Sequence, residues 1–218
     1  MHTILKFLFS LCIGAVLMPS TSCSQGSASA AADANTVRTD SAIVIDNILN
    51  RRSIRAYTDQ PVERQKLEVI ARCGINAPSG MNSQPWQVCI VDSPAYIDSL
   101  TAIFKKLQPE RAEQPGFKNM FRNAPALIFV ASPSNGSGQV DCGLMGENMV
   151  LAAEAMGLGT CIQGGPLAFM KNTKECAPYI QQLQIPEDYE LLYIIGVGYP
   201  DETPDAKPRD ESKVKFID

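Results

Sequence analysis

Hydrophobic and polar positions along this chain change period from one segment to the next, and those periods predict its elements. From Ser41 to Asn50, Ile43, Val44, Ile45, Ile48 and Leu49 recur at helical spacing behind Asp40 or Ser41 as N-cap, so a first helix ends at Arg51. Pro61 opens a second helix, about Glu63 to Cys73, with Leu67, Ile70 and Ala71 on one face and Gly74 as its stop. Ala77 to Trp86 is a run of turn formers, a long polar loop ending in the chain's one tryptophan. Gln87 to Val91 alternates as a strand, and Pro94 starts a third helix through about Leu107. Gln108 to Asn123, charged and containing proline, reads as a mobile loop.

Ala126 to Ala131 is a continuous apolar strand. The run from Asp141 to Met156 is a buried helix on Leu144, Met149, Leu151, Ala152, Ala155 and Met156, stopped by Gly157-Leu158-Gly159. Thr160 to Ile162 is a short strand, Pro166 begins another helix, and Tyr189 to Gly198 is the last strand. Strands that arrive singly between more numerous helices predict an α+β or α/β three-layer domain over residues 41–218.

The N-terminus has a different character. Residues 1–22 combine Lys6, an apolar run from Phe7 to Met18, and the small polar residues Ser20-Thr21-Ser22, the pattern of a signal peptide too short to span a membrane as a helix. Cys23 directly after them resembles a bacterial lipoprotein signal, with Ser20 where a leucine is usual. That resemblance implies export and a lipid on Cys23 that tethers the protein to the membrane, facing the periplasm. Plain secretion with cleavage nearby is the alternative. Residues 23–40, rich in Ser, Ala and Gly, then act as a flexible tether.

Composition narrows the chemistry. With 45% apolar and 19% charged residues the chain has the balance of one ordinary globular domain. Its net charge of −4, or −5 once residues 1–22 are removed to leave 18 basic against 23 acidic side chains, argues against nucleic acid as partner. The one histidine, His2, lies in the segment expected to be cleaved, which excludes histidine general bases, Ser-His-Asp triads and His-bearing zinc sites from the mature domain. Cys73, Cys89, Cys142, Cys161 and Cys176 show no metal-ligand spacing and sit among apolar neighbours, as buried free thiols do.

The chemistry-bearing cluster is Arg51-Arg52-Ser53-Ile54-Arg55. Three guanidinium groups and a hydroxyl in five residues suit an anion, because a guanidinium fork gives a phosphate two parallel charge-assisted hydrogen bonds. Alone, the cluster reads more readily as a solvated basic turn after a helix.

Together with Pro78-Ser79-Gly80-Met81-Asn82-Ser83-Gln84-Pro85-Trp86, Gly157-Leu158-Gly159 and Gly196-Val197-Gly198-Tyr199-Pro200 followed by Lys207 and Arg209, the cluster resembles the nitroreductase family of FMN-dependent oxidoreductases, over about 170 residues. The resemblance implies a three-layer α/β/α sandwich with a central mixed sheet, one FMN per subunit and a homodimer. It implies that Arg51, Ser53, Lys207 and Arg209 clamp the FMN phosphate from opposite ends of the chain. Arg52 would bond the ribityl chain or pyrimidine, and Arg55 would stabilise the anionic reduced flavin near N1 and O2. The loop, through Pro78, Ser79, Gly80, Asn82 and Gln84, would contact the partner subunit's cofactor. Gln163-Gly164-Gly165-Pro166 departs from the family's Pro-x-Gly arrangement, leaving Gly164 or Gly165 as the N–H donor to flavin N5. Asn119 and Asn123 lie where the family places an amide on the pyrimidine edge.

The implied activity passes two electrons from NAD(P)H or another donor to a small acceptor, such as a nitroaromatic or quinone, by a ping-pong mechanism that needs no side-chain acid or base. A reductive dehalogenase or flavin oxidase would need a covering lid, for which only Gln108 to Asn123 is available. A lipid-tethered flavin-binding or thiol-redox module without turnover is the reading from another class. Export separates the enzyme from cytoplasmic reduced nicotinamide, which leaves the physiological donor open.

Overall fold

In the computed structural model, which describes residues 39–217, one four-stranded sheet organises the chain. The signal-like segment, Cys23 and the tether up to residue 38 lie outside the described residues. Helix α1 (Asp40–Asn50) begins one residue earlier than its apolar spacing suggests, because Thr39 has the extended backbone of a cap and its hydroxyl accepts from the Ala42 N–H at 3.3 Å. Helix α2 (Arg64–Ile75) runs through Gly74 instead of stopping there. A Cβ at Gly74 would stand 2.4 Å from Met149 Cε, so this glycine serves close helix packing.

Strand β1 (Gln87–Val91), helix α3 (Pro94–Leu107), the single turn α4 (Pro109–Ala112) and strand β2 (Ala126–Pro133) follow. Helix α5 (Gln139–Ala155), strand β3 (Gly159–Gln163), helices α6 (Gly165–Asn172) and α7 (Ala177–Gln182), and strand β4 (Tyr189–Gly198) complete the domain. The sheet order is β1-β2-β4-β3, and every neighbouring pair is antiparallel. Among the described residues the sheet is antiparallel and not mixed as expected, and a parallel pairing occurs as the isolated bridge between Ser53 and Thr160. The registers explain why: Leu127 pairs with Val91, so the chain between them returns to the end of the sheet it left and β2 must run backwards.

β2 has no polar position over most of its length because both of its faces are covered. Leu127, Phe129 and Ala131 join Ile97, Leu100 and Phe104 of α3 and Leu167 and Met170 of α6 in one core. Ala126, Ile128 and Val130 join Leu67 and Ile70 of α2 and Met145 and Met149 of α5 in the other. This is the α/β/α sandwich, with each large side chain so buried stabilising it by about 1.5–3 kcal/mol.

Two expectations are corrected. Helix α5 buries Cys142, Met145, Gly146, Met149, Val150 and Ala153, while Leu144 and Ala155 face outward. Its apolar residues encircle the helix, so their spacing selects no face. The segment 108–123 is built rather than loose: Phe121 and Met120 are buried, and the Asn123 side chain accepts from the Lys118 and Asn119 N–H groups at 2.8 and 3.0 Å while donating to Gly116 O at 2.8 Å.

At Gly159 a Cβ would lie 2.7–2.9 Å from three atoms of Ile54, whose branched Cβ cannot swing aside. Gly159→Ala is expected to destabilise the domain by about 1–3 kcal/mol, read as a lower denaturant midpoint at unchanged slope.

Candidate functional site

Backbone bonds stitch the arginine motif between two distant parts of the chain. On one side the Ile54 N–H donates to Thr160 O of β3 at 2.8 Å. On the other, the Thr58 N–H donates to Tyr199 O at 2.9 Å, the Asp201 N–H donates to Ala56 O at 3.0 Å, and Tyr57 bridges Pro200. Glu202 accepts the Arg55 N–H on its carboxylate, and buried Tyr57 donates its hydroxyl to Ile54 O at 2.6 Å. Residues near 55 and residues beyond 200 are thereby held side by side.

The product is a cavity of about 110 Å³ lined by Arg51, Arg52, Ser53, Arg55, Pro204, Asp205, Lys207 and Arg209. Five cationic side chains against one carboxylate make it an oxyanion site by charge and by donor type. Arg52 is partly committed, since its Nη1 donates to Leu49 O and Arg51 O at 2.7 and 2.9 Å and so covers the open carbonyl end of α1. Arg55 Nη1 donates to Ser53 O at 3.1 Å and Arg209 Nη1 to Lys207 O at 3.0 Å, which leaves most of both guanidinium forks available. Arg51 is 3.9 Å from Glu147, a loose ion pair.

Arg55 also lines a second cavity, of about 210 Å³, with Gln163, Gly164 and Gly165. Gly164 lies in ordinary right-handed backbone, and a Cβ at either glycine would meet nothing within 4 Å. Neither neighbour contacts nor left-handed backbone require glycine here, so bare backbone faces open space at the cavity. Gln163 donates its Nε2 to Phe121 O at 2.9 Å, and its Oε1 is buried without a partner. Motif reading missed Gln163, Arg111, Arg122 and Cys161 on this cavity, and Glu202 behind Arg55. The asparagine-rich turn of residues 119–123 was the one available signal for Arg122.

The loop of residues 78–84 stands apart from both cavities. It folds on itself and onto α5: Ser79 Oγ accepts from the Gln84 N–H at 3.0 Å, the Gly80 N–H donates to Asp141 at 3.3 Å, and Gln84 Nε2 is 3.5 Å from Asn82 O. Met81, Asn82 and Gln84 are left-handed (φ 52, 55 and 47). Pro78, Ser79, Gly80, Asn82 and Gln84 are therefore not brought to the arginine cluster of their own subunit. Asn119 and Asn123 are both engaged in the turn of residues 116–124. Asn119 Nδ2 donates to Ala124 O at 3.1 Å and its Oδ1 accepts from the Phe121 N–H at 2.9 Å, while Asn123 is spent on the turn described above.

All five described cysteines are free, and Cys142, Cys161 and Cys176 are buried. Burial raises the Cys161 thiol, with Arg55 and Arg122 pulling the other way. Burial, reinforced by Asp141, pushes Cys142 up to about 11. Such thiols stay protonated at neutral pH, which does not suit redox exchange.

A match to the Nitroreductase family spans residues 48–199. A nitroreductase from Desulfitobacterium hafniense solved with bound FMN has a TM-score of 0.70 at 25% identity, over 80% of this chain and 98% of that one. One from Bacteroides fragilis, also solved with bound FMN, gives 0.69 at 25% identity over the same shares. The NADPH-flavin oxidoreductase of Vibrio harveyi is 28% identical over 181 residues, 76% of this chain and 69% of that protein. The fold and site define an α+β sandwich with a cation-lined cavity assembled from both ends of the domain. The chain belongs to the nitroreductase family.

The raised thiols set a pH dependence. The folded state keeps protons that the unfolded chain releases once pH passes the ordinary thiol value of 9.0. The buried Tyr57, Tyr96 and Tyr193, also raised by burial, act in the same sense. Stability is expected to be fully present below pH 9 and to fall as pH rises toward 11, measured by denaturation at each pH, with Cys142→Ala flattening part of the decline.

Proposed function

We propose that this protein is an FMN-dependent oxidoreductase, and the observation that carries the reading is the convergence of Arg51, Ser53, Lys207 and Arg209 on one cavity that shares Arg55 with the glycine-floored cavity beside it. The FMN-bound relatives and the flavin reductase from Vibrio support it. Arg51, Ser53, Lys207 and Arg209 hold the phosphate, each charged contact contributing about 1.5–3 kcal/mol. Arg52 holds its own helix end and reaches the ribityl chain or pyrimidine with its remaining N–H groups. Arg55, fixed by Glu202 and Ser53, presents positive charge to the pyrimidine edge, and Gly164 or Gly165 offers a backbone N–H to N5. When bound, FMN would supply two-electron hydride chemistry, with NAD(P)H or another donor as the source and a small molecule such as a nitroaromatic or quinone as the acceptor. With no histidine beyond His2, the domain's part is to bind, orient and tune.

The active form is a homodimer. Ile45 and Leu49 of α1 are 54% and 66% exposed, and Val140 and Leu144 of α5 are 77% and 45% exposed, an uncommon number of bare aliphatics on two helices that touch each other. A second copy covering them would bring its own loop of residues 78–84 toward this subunit's cofactor. Sedimentation is expected to give twice the mass of the mature subunit, and Ile45→Asp with Leu49→Asp a monomer that loses flavin; a flavin-loaded wild-type monomer would contradict this.

Cys23 is the lipidated first residue of the mature chain, and residues 23–40 tether the domain to the membrane, a reading supported by the small residues that precede Cys23. Cys23→Ser should leave the membrane fraction; retention there would rule the tether out.

The oxidoreductase reading is tested without oxygen: the purified yellow protein bleaches on NADH or NADPH, and a colourless protein refutes it. Arg209→Ala weakens FMN retention roughly ten- to hundredfold, and excess FMN restores turnover, because a phosphate contact is the same in both redox states. Arg55→Ala lowers the flavin potential by roughly 30 mV or more, and excess FMN does not repair it. Identical behaviour of the two variants would refute this division of roles.

A further inference from the structure

The glycine-floored cavity has two walls that come from separate parts of the chain. One is the end of β3 and the start of α6, Cys161 to Pro166, and the other carries Met120 and Arg122 of the turn that precedes β2. That turn is complete in itself. The Ala124 N–H closes it by donating to Phe121 O at 3.1 Å, with Arg122 and Asn123 both left-handed at its tip. Asn119 accepts from the Phe121 N–H and donates to Ala124 O, while Asn123 accepts from the Lys118 and Asn119 N–H groups. The turn is joined to the other wall by the Gln163 side chain, whose Nε2 donates to Phe121 O at 2.9 Å, and among the described residues no other hydrogen bond links the two.

The fold does not need that bond. Phe121 O already holds the Ala124 N–H and would stay paired beside an apolar residue at position 163. Gln163 is 4% exposed, and its Oε1 is the one buried side-chain oxygen or nitrogen among the described residues with no partner in the protein, an arrangement that costs stability. Space is reserved for the amide as well, since a Cβ at Gly196 would stand 2.3 Å from Gln163 Nε2 and 2.9 Å from Ala124 Cβ. A half-satisfied amide kept at a cavity wall at a cost to the fold marks a functional requirement. Gln163 directly precedes Gly164 and Gly165, so holding its side chain holds their backbone N–H groups in a fixed relation to the turn. Resting on the function proposed above, we propose that Gln163 is a positioning residue that braces the glycine wall against the turn of residues 119–124 and so sets the width of the cavity for the flavin ring. It acts through Gly164, Gly165 and the turn, and its buried Oε1 makes no contact with the ring.

The test is Q163M, which keeps the length of the side chain and removes the amide. Three readouts separate positioning from support of the fold. In the flavin-free protein the denaturant midpoint is expected to match or exceed that of the wild type at unchanged slope. Fluorescence titration should show FMN and riboflavin both binding roughly tenfold more weakly, with the ratio of their affinities unchanged, because the brace acts on the ring and not on the phosphate. Reduced FMN should lose roughly a further tenfold, a fall of about 30 mV in the potential of a two-electron couple, because a displaced backbone N–H favours the electron-rich ring less. A lower midpoint, or a variant that does not fold, would make the amide structural and overturn the proposal. A loss confined to FMN would overturn it too, since Gln163 would then serve the phosphate. If the wild type binds both flavins and Q163M binds them as tightly at the same potential, the brace alone is refuted; if the wild type binds neither, the function proposed above falls and the brace falls with it.

Discussion

The site depends on a short backbone seam. Residues 53–58 are pinned to β3 through the Ile54 N–H and to the stretch after β4 through Thr58 and Asp201, and no side-chain chemistry would converge without those bonds. Each contributes only about 0.5–1.5 kcal/mol net, and the one between buried Ile54 and Thr160 would leave an unpaired buried peptide group if broken, which costs more than the bond gains. The seam also requires specific neighbours. Gly159 and Gly198 let Ile54 and Tyr57 lie against the strand backbones, since a Cβ at either glycine would come within 2.7 Å of those side chains. Packing at two strand ends thus determines where four arginines and a lysine point.

Charge then divides the site. The small cavity at the seam carries cations with little counter-charge, and the larger one shares only Arg55 with it. An arginine common to both is well placed to couple what binds in one to what reacts in the other, and its backbone anchor on Glu202 keeps it there. The loop of residues 78–84 lies away from both cavities, and Ile45, Leu49, Val140 and Leu144 of α1 and α5 are exposed aliphatics.

Much of this was legible in the sequence because each level agreed with the next. The strands β1 and β4 and helix α3 follow from period and caps, and the motif named Arg51, Ser53, Lys207 and Arg209, which the fold brings to one cavity. What was not legible has physical reasons. Gly74 reads as a helix stop, yet it is a contact glycine, because local sequence does not reveal Met149 across the core. Helix α5 is apolar on all sides, so its buried face could not be chosen by spacing. Asn119 and Asn123 hydrogen-bond within their own turn, and that turn carries Arg122, a residue no motif marked, to the larger cavity.

The central claim is that a clamp drawn from both ends of the domain reads a phosphate, and it is tested by comparing FMN with riboflavin, which differs only by that group. Fluorescence titration of the flavin-free protein should show FMN binding at least roughly a hundredfold more tightly, as two or more charge-assisted contacts require. Equal affinities for FMN and riboflavin would mean that Arg51, Ser53, Lys207 and Arg209 hold no phosphate, and the account would fail.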